Sequence, residues 1–182
     1  MSFLPDDYVM PDKVGNWMKL LPGPNRFRIL GSFTDEPKTA IMGWEAWDTS
    51  DGRKPVRFRM AEPPAKGSYE EDAKHFWAFT VYNVNLKSFQ ILQLTQKSIL
   101  DELNKFCADK DWGDPKGYDI EIFRIGEDKG TKYQTQPKPH SEVSEEAKAS
   151  ICPVDLERMF DGEDPFDFVL QSAPEVDDDP GF

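Results

Sequence analysis

His75-Phe76-Trp77-Ala78-Phe79-Thr80-Val81-Tyr82-Asn83-Val84 decides the fold class of this chain. Aromatic and β-branched residues fill most of the stretch, and such side chains suit a pleated, packed surface. Strand alternation puts Trp77, Phe79 and Val81 on one face and Phe76, Ala78 and Tyr82 on the other. Asn83-Val84-Asn85 turns the chain, and Phe89, Ile91, Leu92 and Leu94 return. Two such runs about a short turn predict a β-hairpin.

Working outward, the same period recurs on both sides. Asn25 to Phe33 reads as a strand with Phe27, Ile29 and Gly31 on one face and Arg26, Arg28 and Leu30 on the other. Thr39 to Trp47 is a second candidate, carrying Trp44 and Trp47. Asp48-Thr49-Ser50-Asp51-Gly52 is a turn signal. Beyond it Val56, Phe58 and Met60 alternate with Arg57 and Arg59, a half-buried strand with a basic outer face.

Gln96 to Asp109 changes period: Ile99, Leu103 and Phe106 share one face of an amphipathic helix. Thr95 or Ser98 is its candidate cap, and Gly113 helps to end the segment. After the turn Asp114-Pro115-Lys116-Gly117, Tyr118 to Ile125 and Thr131 to Thr135 predict another hairpin. A β-rich order interrupted by one helix predicts a mainly β chain closed into a small barrel, because closure removes exposed edges. The chain thus divides into a proline-bearing lead-in (1–24), a β domain (25–139), and a linker with an acidic tail (140–182). Trp17 and Leu20-Leu21 of the lead-in are expected to dock on the body, and residues after about 140 to be mostly mobile.

Charge is divided in the same way. The net charge of −12 separates into −1 over residues 1–140 and −11 over residues 141–182. Residues 13–66 hold ten basic and six acidic groups, so a polyanion is not excluded as a partner by the acidic total. No run approaches the apolar length of a membrane helix, and Met1-Ser2-Phe3-Leu4-Pro5-Asp6-Asp7 lacks the features of a signal peptide. Cys107 and Cys152 read as reduced thiols of a cytoplasmic protein, and no Cys or His spacing supports a metal site. No nucleophile, phosphate-loop or cofactor motif emerges, so neither catalysis nor a cofactor is expected. His75 reads as a structural residue at the start of an apolar strand.

A binding function finds better material, since non-specific recognition of single strands needs cations for phosphates and exposed rings for bases. The candidate phosphate contacts are Arg26, Arg28, Arg53, Lys54, Arg57 and Arg59, with Lys87, Lys129 and Lys132 at or near hairpin ends. The candidate stacking residues are Trp44, Trp47, Tyr82 and Tyr133. Simpler roles stand beside these. Arg57 and Arg59 equally suit a solvated strand face. Trp44 and Trp47 point opposite ways in a regular strand, so one of them belongs to the core, and Trp77 is assigned to the core as well.

Several strings resemble phage single-stranded DNA-binding proteins built on the oligonucleotide/oligosaccharide-binding (OB) fold, including the core of the T4-type helix-destabilising protein. They are Asn25-Arg26-Phe27-Arg28-Ile29-Leu30, Lys74 to Tyr82, Leu92 to Ile99, Gly113-Asp114-Pro115 and Tyr118-Asp119-Ile120. The end, Asp177-Asp178-Asp179-Pro180-Gly181-Phe182, is similar to the acidic, Phe-ended tip of bacterial single-stranded DNA-binding proteins. The resemblance implies an OB-fold protein that coats and melts single-stranded DNA during replication, recombination or repair, in the host cytoplasm if the chain is phage-encoded. It also implies that Asp177, Asp178, Asp179, Pro180 and Phe182 recruit partner proteins. The zinc motif of the T4-type core and its basic N-terminal cooperativity motif are missing here, so self-association stays open. A protein-interaction adaptor and an RNA-binding protein are the alternative readings.

Overall fold

A computed structural model of the protein describes residues 3, 5–8 and 14–167. The chain is mainly β, with seven antiparallel strands in one sheet: β1 Gly23–Ile29, β2 Ala40–Asp48, β3 Lys54–Arg59, β4 Lys74–Asn83, β5 Ser88–Leu94, β6 Tyr118–Ile125 and β7 Lys132–His140. Helix α1 (Lys97–Ala108) lies between β5 and β6, and a short α2 (Glu145–Ser150) follows β7. No helix among the described residues is long and apolar enough to cross a membrane.

The apolar stretch His75–Asn83 lies within β4, which is the hub of the sheet. One edge of β4 pairs first with β2, from Glu45↔Lys74 to Ala40↔Phe79, and then with β1, from Ile29↔Val81 to Phe27↔Asn83. Thr80 sits at the changeover, donating its N–H to the Thr39 carbonyl at 3.0 Å and accepting from Leu30 at 2.9 Å. The other edge carries β5, from Trp77↔Leu94 to Asn83↔Ser88. The lead-in docks beside β5, where Met18 N–H donates to Ile91 O and Ile91 N–H to Asn16 O, both at 2.9 Å. The strand order β3-β2-β4-β1-β6-β7 is open, and backbone pairing does not close the expected barrel.

Both faces of the sheet are buried. On one, Phe27, Ile29, Phe79, Val81, Leu92, Leu94, Ile120 and Ile122 pack against Ile99, Leu100 and Leu103 of α1. Phe106 is only partly buried there. The helix begins after Gln96 without a side-chain cap, so neither Thr95 nor Ser98 caps it. Gly113, at φ +61°, donates its N–H to Asp109 O at 2.8 Å.

On the other face, Ile41, Phe76, Ala78, Phe89 and Ile91 pack against Val154, Leu156 and Met159, flanked by Phe160 and Phe166. This corrects the expectation of mostly mobile chain beyond residue 140: residues 141–167 form a strap that completes a second core. Ser144 caps α2 by accepting from Ala147 N–H at 3.1 Å. Asp155 does the same for the 3-10 turn Leu156–Asp161, which Gly162 ends at φ +73°. The strap is tied to the sheet by Leu156 N–H donating to Lys38 O at 2.8 Å. β7 also outruns its predicted end at Thr135, because an edge strand tolerates Pro137 and Pro139 where a central one would not.

Candidate nucleic-acid interface

Arg26 with Arg28, and Arg57 with Arg59, each share a strand face as alternation predicts; the strand registers put all four on one sheet face, but each is engaged within the protein. Arg28 is only 4 % exposed. Its guanidinium donates to Asp119 Oδ1 at 2.8 Å, to Lys116 O at 2.9 Å and to both the hydroxyl and carbonyl oxygens of Ser141. That buried group, with four of its five N–H donors bonded inside the protein, is a structural clamp and not a phosphate contact. Arg26 pairs with the second oxygen of the same carboxylate at 2.9 Å.

Arg57 donates to Gln93 Oε1 at 3.0 Å and lies 3.5 Å from Glu45 Oε2, with Trp17 beneath its guanidinium. Burial pushes its pKa down, against the attraction of Glu45. Arg59 pairs with Glu157 of the strap at 2.7 Å and lies over the Phe160 ring, 4.9 Å from its centroid. The hydrogen bond to Glu157 raises its pKa.

The remaining cations are exposed but dispersed. The register puts Arg53 and Lys54 at the β2–β3 turn, beside the start of β4. Lys87, Lys129 and Lys132 stand at the opposite end, where the β4–β5 and β6–β7 turns flank the start of β1. Arg53 covers Trp47, with its guanidinium carbon 4.6 Å from the ring centroid.

Of the predicted stacking residues, Tyr82 is buried under the strap, and burial, then the charge of Glu146, raises its pKa. It is a core residue. Tyr133 is partly buried against the α1 side of the core. Trp44 is half-buried and open on one side, next to a cavity formed with Pro63, Pro64, Lys66 and Tyr69.

What the alternation did not reveal is the row that Trp44 begins. Trp44 lies opposite His75 in the β2–β4 register, with ring centroids 5.3 Å apart. Trp77, two residues along β4, is half-buried rather than fully in the core. Its indole N–H donates to His75 Nε2 at 3.1 Å. Phe33, 41 % exposed, meets Trp77 edge-to-face at 6.4 Å. Phe33, Trp77, His75 and Trp44 thus run as a continuous aromatic row on the α1 side of the sheet. The signal for Trp77 and His75 was their spacing of two on one strand. Phe33 carried none, since it follows the end of β1.

Two shallow cavities flank the row. The one beside Trp77 has a volume of about 280 Å³ and is lined mainly by apolar groups, including Phe33, Met42, Phe79 and Leu103, with Asp114 and Lys116 at its rim. The one beside Trp44, about 210 Å³, carries Lys66 together with Glu71 and Asp72. The polar edges of both indoles are already used: Trp44 Nε1–H donates to Met60 O at 3.3 Å, and Trp77 Nε1–H to His75. What the two rings offer outward is therefore apolar surface and π faces, which stack on a planar ligand without reading its edges.

Among the described residues no group of three or more His, Cys, Asp or Glu side chains is placed to hold a metal ion. Cys107 and Cys152 are both free and exposed. The tail residues Asp177, Asp178, Asp179, Pro180 and Phe182 lie outside the described residues. No protein-family model, no curated protein and no solved structure matches the chain.

Proposed function

We propose that this protein binds single-stranded DNA without sequence preference, stacking successive bases on the Phe33–Trp77–His75–Trp44 row. The observation that carries the reading is that both indoles have satisfied polar edges and line the two cavities that flank the row. Every base presents a π face, so such a row is indifferent to sequence. Lys66 and Lys116 in the flanking cavities, with Arg53 and Lys54 at the same end of the sheet, supply attraction for phosphates.

In this reading the open sheet curls toward an OB-type barrel, and what supports it is that Arg57 on β3 and Glu45 on β2 both bond the side chain of Gln93 on β5, a strand laddered to β4. Coating unpaired strands suppresses their secondary structure by mass action, with no catalytic step. In this reading the acidic end, residues 177–182, serves replication, recombination or repair partners.

Titration of intrinsic tryptophan fluorescence with oligo-dT and with a matched duplex tests the proposal. Salt-sensitive preference for oligo-dT is expected, with Trp44→Ala and Trp77→Ala each weakening binding by roughly 1–3 kcal/mol. Absence of binding at low salt overturns it. A matched oligo-U arm separates DNA from RNA.

A further inference from the structure

We propose that His75 is the positioning residue of the aromatic row, an inference that rests on the single-strand-binding reading of that row. The imidazole lies between the two indoles and is held at both nitrogens. Its Nδ1 is 2.9 Å from the Gly43 carbonyl oxygen, which can only accept. Its Nε2 is 3.1 Å from Trp77 Nε1, which can only donate. These partners leave one assignment: a neutral ring with the proton on Nδ1 and a lone pair on Nε2 aimed at the indole N–H.

The anchor is rigid, because Gly43 is fixed by the β2–β4 register, where it lies opposite Phe76. The same imidazole packs against Trp44 at a tilt of 55°, with ring centroids 5.3 Å apart. One side chain therefore fixes the plane of Trp77 relative to Trp44 before any ligand arrives. A base reaching the row meets two rings already oriented, which removes an ordering cost from binding.

The test separates this role from the function it serves. In the free protein, proton NMR should show Trp77 indole N–H exchange accelerated at least tenfold by His75→Leu, and nitrogen shifts should place the wild-type proton on Nδ1. His75→Gln, whose amide oxygen can accept at the ε position, should restore most of the protection. In oligo-dT titrations His75→Leu should weaken binding about tenfold, yet change it less than twofold in a Trp77→Phe background, where the donor is gone. Unchanged indole exchange in His75→Leu overturns the proposal. So does an equal loss of affinity in both backgrounds. Failure of the wild-type protein to bind oligo-dT overturns the single-strand reading, while the exchange and nitrogen-shift data still decide whether His75 holds Trp77.

Discussion

The edge of the Phe160 ring lies where Gly43 has no side chain: a Cβ at position 43 would stand 3.0 Å from it and would collide with the carbonyl oxygen of Phe58. Gly43 is thus the point at which the strap is admitted to the sheet. Gly43→Ala should cost at least as much as a typical overpacking substitution, about 1–3 kcal/mol. Phe160→Ala should lose a comparable roughly 2–3 kcal/mol, from its contacts with Phe76 and Arg59. If Gly43→Ala acts mainly by displacing that ring, the double variant will be less destabilised than the sum of the two, as read by urea unfolding.

Truncation distinguishes the strap from the acidic end. Removing residues 168–182 leaves every strap contact described above in place and should leave the free energy of urea unfolding within about 0.5 kcal/mol. Removing residues 141–182 uncovers Ile41, Phe76, Ala78, Phe89 and Ile91. That protein should bind 1-anilinonaphthalene-8-sulfonate strongly and lose its cooperative transition.

Asp119 balances two arginines of unequal burial. Asp119→Asn leaves the guanidinium of Arg28 charged, 4 % exposed and without its carboxylate, which should cost about 3–5 kcal/mol. Arg26→Gln removes the partner that is 42 % exposed and should cost less than about 1 kcal/mol. Chemical denaturation of the two single variants checks the contrast.

The Tyr118 hydroxyl is buried without a hydrogen-bond partner, beside Trp112 and His140. Burial, reinforced by Cys107 and Asp114, pushes its pKa up to about 12. The folded state then holds this proton after the unfolded chain, with a tyrosine pKa near 10, has begun to release it. Stability should be unaffected below about pH 10 and fall by about 2 kcal/mol as pH rises toward 12. Tyr118→Phe should abolish that part of the alkaline loss and raise the melting temperature at pH 7, because it deletes an unsatisfied polar atom.

Salt dependence tests the placement of the cations. If Lys66 and Lys116 each neutralise a phosphate, Lys66→Gln with Lys116→Gln should reduce the slope of log K against log salt by roughly 1.4 for a single strand. Arg28→Met, if it folds, should leave the slope unchanged, since Arg28 serves Asp119 and Ser141.

Much of the sheet was legible because period-two alternation is a local property. The β4–β5 hairpin, β6 and the apolar face of α1 follow from residues that are neighbours in sequence. The pairing of the arginines was not legible. Arg28 meets Asp119 across 91 positions and Arg59 meets Glu157 across 98, and no pattern along one strand announces such partners. The strap was missed for a different reason. Leu156, Met159 and Phe160 carry an i, i+3, i+4 signal for a short helix, but Asp161-Gly162-Glu163-Asp164-Pro165 ends it after one turn, and the acidic residues around it and around Val154 and Phe166 read as mobile chain. Trp77 was assigned to the core from the apolar strand around it, although its environment is set by Phe33, distant in sequence, together with the neighbouring His75.

The strap has a consequence for the order of synthesis. Its apolar anchors lie at residues 154–166, while the surface they cover is made of residues 41–91. A ribosome must therefore release the whole sheet before the second core can close. Throughout that interval the nascent chain presents Phe76, Phe89 and Ile91 bare, a window for chaperone capture or for pairing with another unfinished copy.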